Sequence, residues 1–176
     1  MESEKRDDKL PSNPPTVTGG CRCGLIRYIA SAIPTKQTYC HCHTCRKLSG
    51  SAFMAFVDFP VDSVLITTET SSDWPRFTDW KAKHAELPSL RTIKVSPYAT
   101  RTCCGACGSP ISMVYVNAPE VIGITAGTVD DKCDMAKFGL ESQHIFMKEK
   151  SEWYQMPEDG FPTQWEMEGV DKLLSK

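Results

Sequence analysis

CHCHTC at residues 40–45, CRC at 21–23 and CGAC at 104–107 hold seven of the nine cysteines of this 176-residue chain. Cysteines grouped this tightly point to metal, and the uneven arithmetic of two, three and two says how. A C-x-C pair joined to a distant C-x-x-C pair supplies four thiolates, which closes a tetrahedral zinc site. Cys40, Cys42 and Cys45 supply only three, so a zinc held there keeps its fourth position open, and an open position is where zinc chemistry happens. Two zinc ions per chain are expected, one structural and one reactive.

Backbone geometry supports these groupings. Residues i and i+2 of an extended chain face the same way, so Cys21 and Cys23 can address one metal, as can Cys40 and Cys42. His41 and His43 then face away and read as non-ligands. In the third group, Gly105 and Gly108 permit the tight turn a metal knuckle needs. Spacing alone leaves the partition open, since Cys21 and Cys23 could instead share a metal with Cys40 and Cys42. A thioredoxin-like redox pair at Cys104 and Cys107 would need a helix beginning there, and Gly108-Ser109-Pro110 argues against one. Cys103 and Cys133 read as small buried apolar residues.

The composition is that of an ordinary globular chain, 40% hydrophobic and 24% charged. A formal net charge of -2 supplies no basic field for nucleic acid. No apolar run is long enough to span a bilayer, and MESEKRDDKLPSNPP at 1–15 has charges where a signal peptide needs apolar residues. A cytoplasmic location is expected, where thiols stay reduced and clustered cysteines bind metal. Residues 1–15 read as a disordered polar tail, 16–165 as one zinc-binding domain and 166–176 as a C-terminal tail.

Short β segments separated by turns dominate the remainder. Strands are expected at 25–30, 53–59 (closed by Pro60), 64–67, 111–116, 121–129 and 144–148. The best helical signal is Asp79 as N-cap with Trp80, His84 and Leu87 at helical spacing, ended before Pro88. The expected fold class is mainly β with few short helices.

The strings GGCRCGLIRY at 19–28, CHCHTCRKLSGSAF at 40–53 and RTCCGACGSPI at 101–111 resemble the glutathione-dependent formaldehyde-activating enzyme family. AGTVDD at 126–131, HIFMKEKSEW at 144–153 and DGFP at 159–162 extend that resemblance, in order, to about residue 165. It implies the Mss4-like fold, a zinc-bearing β-tent. It also implies the partition that spacing left open, with Cys21, Cys23, Cys104 and Cys107 matching the structural zinc site and Cys40, Cys42 and Cys45 the catalytic one. The family's namesake reaction joins glutathione and formaldehyde to give S-(hydroxymethyl)glutathione, and is classed as a carbon–sulfur lyase acting in reverse. Two departures place the substrate in question. Cys103 stands where the family usually has an aromatic residue, and the stretch from Thr68 to Leu90, carrying Trp74, Trp80 and His84, is longer than the usual connection.

Three thiolates leave a bound zinc with a formal site charge of -1, which suits it to handling a substrate thiol such as that of glutathione. Arg46 and Lys47 are candidates for gripping a carboxylate of that substrate, although a solvated pair on a turn fits them equally. His144 is a candidate proton shuttle, and Trp153 with Phe161 a candidate apolar wall, against plainer structural roles for each. The alternatives are the same zinc chemistry on a larger electrophile or thioether, and a non-enzymatic zinc-stabilised interaction module.

Overall fold

A computed structural model describes residues 17–68, 76–77 and 89–166. Two sheets dominate it. The smaller has strand order β1 (Val17–Gly20), β2 (Ile26–Ala30) and β5 (Val64–Thr68), antiparallel throughout. The larger has seven strands in the order β10 (Glu141–Ile145), β3 (Lys36–Cys40), β4 (Met54–Pro60), β9 (Ala118–Thr125), β8 (Pro110–Tyr115), β7 (Ala99–Cys104) and β6 (Leu90–Ile93). All its pairings are antiparallel except β10 with β3. A single α-helix, α1 (His43–Ser49), occurs among the described residues, with four short 3-10 turns. The chain is therefore mainly β with few short helices, as expected.

Strand alternation sends successive side chains to opposite faces, and here each face of the large sheet has its own core. From β4, Val57 and Phe59 join Ile122, Ile124 and Ile111 against Ile26, Tyr28 and Ile66 of the small sheet. Met54 and Phe56 point the other way, into a second cluster with Cys40, Cys45, Ala99, Met113 and Ile145. One face thus packs on the small sheet, while the opposite face gathers the three-cysteine group. The alternation also carries Arg101, two residues along β7 from Ala99, to the side of this second cluster.

Several expected strands are found with shifted ends. The strand expected at 121–129 stops at Thr125, where a 3-10 turn (Ala126–Thr128) begins. The one expected at 144–148 starts earlier, at Glu141, and ends at Ile145 because Phe146 takes a left-handed conformation, φ 59°. The chain from 43 to 49, where no helix was expected, is helical. Its N-cap is Cys42, whose sulfur accepts a hydrogen bond from the Cys45 amide, and its C-cap is Gly50. The helix candidate at 79–87 and most of the long 68–90 connection lie outside the described residues.

Asp58 faces the same side of β4 as Phe56, beside Lys36 and Gln143 in a hollow of about 130 Å³. Burial pushes its carboxyl up to about 6, with Lys36 partly opposing the shift. Because the folded value lies above the unfolded one, the fold favours the protonated form. Stability from this group is fully present below about pH 4 and is lost as pH rises through about 6. Asp58→Asn should therefore stabilise the protein at pH 7.5, by on the order of 1–3 kcal/mol. The gain should vanish near pH 4 in denaturant unfolding; a pH-independent difference would contradict the burial argument.

Candidate metal centres and pocket

Two hairpins build the first centre. Cys21 follows β1 and Cys23 sits in the turn into β2, while Cys104 ends β7 and Cys107 sits in the turn into β8. Both turns close in the same manner. Gly24 N–H donates to the Cys21 carbonyl at 3.1 Å, and Gly108 N–H to the Cys104 carbonyl at 2.9 Å. Gly24 and Gly108 have φ of 83° and 76°, a left-handed conformation that glycine adopts without a Cβ penalty. Gly105, the other glycine singled out in the sequence, is not left-handed; its amide instead donates to Ser89 O at 2.9 Å.

The four sulfurs lie within 4.8 Å of one another, with Cys21 to Cys23 at 3.5 Å and Cys23 to Cys104 at 3.7 Å. Their surroundings differ, and burial pushes the Cys104 thiol up. The Ile26 amide points at Cys21 Sγ from 3.2 Å, and hydrogen bonding to Ser109 holds the Cys107 thiol down at about 5. The group could hold a metal ion, and it joins one sheet to the other.

The second centre forms where β3 turns into α1. Cys40 ends the strand, Cys42 caps the helix, and Cys45 reaches back from its first turn, so that three sulfurs lie within 4.8 Å of one another. Cys40 and Cys45 are buried and Cys42 partly open. Hydrogen bonds from Cys40 and then Cys45 drive the Cys42 thiol far below its ordinary value, and the same contacts push Cys40 up. Three gathered thiols, one of them shifted toward thiolate, fit a soft divalent metal such as zinc.

A pocket of about 260 Å³ opens beside this group, lined among others by Cys40, Cys42, Tyr98, Arg101, Tyr115 and Phe146. Tyr115 is held protonated because burial pushes its pKa up. The smaller hollow beside Asp58 shares Cys40 and Tyr115 with the pocket, so the sulfur cluster lies between two cavities. Phe146 lines the pocket in its left-handed conformation, which is uncommon for a bulky side chain and marks strain next to the site.

The sequence model of the glutathione-dependent formaldehyde-activating enzyme family matches residues 16–149, well over half the chain. The protein belongs to that family. An uncharacterized lyase of Schizosaccharomyces pombe is 28% identical over 112 residues, spanning 64% of this chain and 67% of that one. A crystal structure of a Rhodobacter sphaeroides protein is also similar, with a TM-score of 0.46 and 14% identity over 65% of this chain and 88% of that one.

Family membership does not say which residues line this member's pocket, and the structure places the sequence candidates elsewhere. Arg46 donates from Nε to His41 O at 3.1 Å and from Nη1 to Ser151 Oγ at 2.7 Å, tying α1 to the segment after β10. Lys47 is exposed on α1. Trp153 is 72% exposed, meets the edge of Tyr154 and is not among the residues lining the pocket. Phe161 stacks near Tyr39, also away from it. None of the four, nor His144, is among the pocket-lining residues.

His144 instead belongs to a relay on the opposite face of β3, running from buried His41 and His144 out to exposed Asp159. Its Nδ1 lies 2.9 Å from His41 Nε2, and its Nε2 lies 3.0 Å from Asp159 Oδ2. Burial brings His41 down to about 4, so it is neutral near pH 7. With His144 donating to the carboxylate and His41 donating to His144, each shared proton has one owner. His144 backbone groups bond Pro162 O at 2.9 Å and Gln164 N at 2.8 Å, clipping residues 162–164 alongside β10. The arrangement is a staple for the closing segment. Among the described residues, spacing could not find it, because the partners lie 103 and 15 residues apart.

Expected from this is that His144→Ala costs about 1–3 kcal/mol of stability, since it strands the buried His41 imidazole and releases the exposed Asp159 carboxylate from the closing segment. Urea unfolding followed by far-UV circular dichroism measures it. A loss below 0.5 kcal/mol, the ordinary range for a surface change, would show that the relay is not holding the segment.

Proposed function

We propose that the protein is a zinc-dependent carbon–sulfur lyase or synthase acting on adducts of a small-molecule thiol, in the manner of S-(hydroxymethyl)glutathione formation. Its single strongest support is that Cys40, Cys42 and Cys45 gather at a pocket, with no fourth His, Cys, Asp or Glu joining their group among the described residues. The four-cysteine group between the sheets is the structural zinc site on this reading, and the three-cysteine group is the reactive one. A zinc held by the three thiolates would supply an open, electron-accepting position at which a substrate thiol is deprotonated near neutral pH.

The pocket residues supply the rest. In the synthetic direction the thiol sulfur attacks the aldehyde carbon, the C–S bond forms as the C=O π bond opens, and the thiol's proton ends on the former carbonyl oxygen. No oxidant or reductant is needed. The Tyr115 hydroxyl, kept protonated by burial, can donate a hydrogen bond to the oxygen that gains charge. Tyr98 and Phe146 add aromatic surface to the pocket lining. The pocket's volume accommodates the thiol and a small aldehyde, while the body of a tripeptide would reach beyond it or toward the Asp58 hollow. That second opening also leaves room for a larger electrophile, and a panel of thiols and aldehydes separates the two substrates.

The test follows formaldehyde exchange with glutathione by two-dimensional exchange NMR, which reads the catalysed rate above the spontaneous one. Cys42→Ser should lower the catalysed rate at least about 100-fold, since losing a ligand costs more than the roughly 10- to 100-fold lost with a hydrogen-bond partner of a ligand, with far-UV circular dichroism unchanged. A Cys42→Ser protein as active as the parent would sink the proposal.

A further inference from the structure

Arg101 is the charged side chain that the fold buries without satisfying. It is 7% exposed, yet its Nε and Nη1 have no hydrogen-bond partner. Nη2 donates to Cys45 Sγ at 3.6 Å, and the guanidinium lies 5.9 Å from the centre of the Phe56 ring. A guanidinium carries five N–H donors and no acceptor. Leaving a buried donor unpaired costs about 1–3 kcal/mol, and more for a charged group, so two empty positions on one buried cation call for an occupant. Arg101 is part of the pocket lining beside Cys40 and Cys42, and because Nε and Nη1 are themselves closed off from solvent, an incoming anion must draw the guanidinium toward the pocket to reach them. Glu149 lines the same pocket but is exposed at its edge, and it accepts the His43 amide at 2.6 Å. It does not pair with the arginine.

We infer that Arg101 is the anion-recognition residue of this pocket, and that it selects thiol substrates bearing a carboxylate. The geometry favours this over a purely structural role. Cys45 takes one Nη2 hydrogen, which fixes the side chain's orientation; Nε and Nη1 lie on opposite edges of the guanidinium, so a carboxylate is received on one edge, by one of them together with the second Nη2 hydrogen. An anion held there sits within one side chain's length of the sulfur cluster, so the ligand must be compact between its acid group and its thiol. The assignment replaces Arg46, whose donors are already committed to His41 and Ser151. It rests on the thiol reading of the same site for its choice of substrate, but not for its choice of charge.

The experiment compares 3-mercaptopropionate, 3-mercaptopropionamide, propionate and propionamide on the full chain by ligand-observed NMR titration. The wild type should bind each acid about 10- to 100-fold more tightly than its amide, the range for a hydrogen bond to a charged group. Arg101→Met should bind acid and amide equally, both about as weakly as the wild type binds the amide. Arg101→Lys, which keeps the charge and loses the fork, should lose most of the preference and serves if Arg101→Met does not fold. Equal binding of acid and amide by the wild type overturns the inference, as does a preference that survives in Arg101→Met or in a folded Arg101→Lys. The thiol-free pair separates this from the broader proposal. If a thiol adds nothing to affinity while propionate still outbinds propionamide through Arg101, the thiol chemistry fails and the anion site stands.

Discussion

Four sulfurs from two hairpins meet between the sheets, and the position of nearly everything else follows from that junction. Cys23 and Cys104 are 81 residues apart in sequence and 3.7 Å apart in space. Bringing such distant positions together costs loop-closure entropy, which a bound ion can offset. Two glycine-closed turns of the same design present the sulfurs, one from each sheet. The hairpin ends are thereby registered against each other, and Cys21 and Cys104 become part of the same core as Ile26, Phe59 and Ile111.

That packing determines where chemistry can occur. Once one face of the large sheet is spent on the small sheet, the opposite face is left to build a site. Successive residues of a strand then divide the labour. Phe56 packs below the three-cysteine group while Val57 fills the main core. Tyr39 and His41 join the aromatic and histidine cluster that receives the closing segment, while Cys40 between them faces the pocket. Shifting β3 by one residue would exchange the histidine relay for the sulfur cluster. The short parallel pairing of β10 with β3 fixes this register from the edge, with Ile145 opposite Cys40 and His144 opposite Tyr39.

Much of this was legible in the sequence, for identifiable reasons. Metal-type spacing is a local signal, and extended i, i+2 geometry places Cys40 and Cys42 on one side without any tertiary information. The β-rich strands at 26–30, 54–60 and 64–68 carry their pattern in neighbouring residues. Helix α1 was not readable because it has only seven residues and is capped by Cys42, which plays a part normally taken by serine, threonine or aspartate. β3, KQTYC, has little apolar content and is held by partners on both sides. Arg101 and the partners of His144 were not readable because the meaning of a charge or an imidazole depends on groups brought in by folding. Arg46, adjacent to the cysteines in sequence, turns away to fasten a loop. Arg101, remote in sequence, arrives at the pocket through strand alternation alone.

On the proposed reading the seven cysteines make two metal centres of different kind, one closed and one open. Native mass spectrometry of the purified chain, with zinc supplied during expression, tests it most directly when paired with Cys104→Ser and Cys45→Ser proteins. The account predicts two zinc ions per wild-type chain. It predicts that Cys45→Ser keeps one zinc and a cooperative melting transition, while Cys104→Ser loses the zinc that joins the sheets and melts at a markedly lower temperature. A single zinc per wild-type chain, or equal destabilisation by the two substitutions, would contradict it.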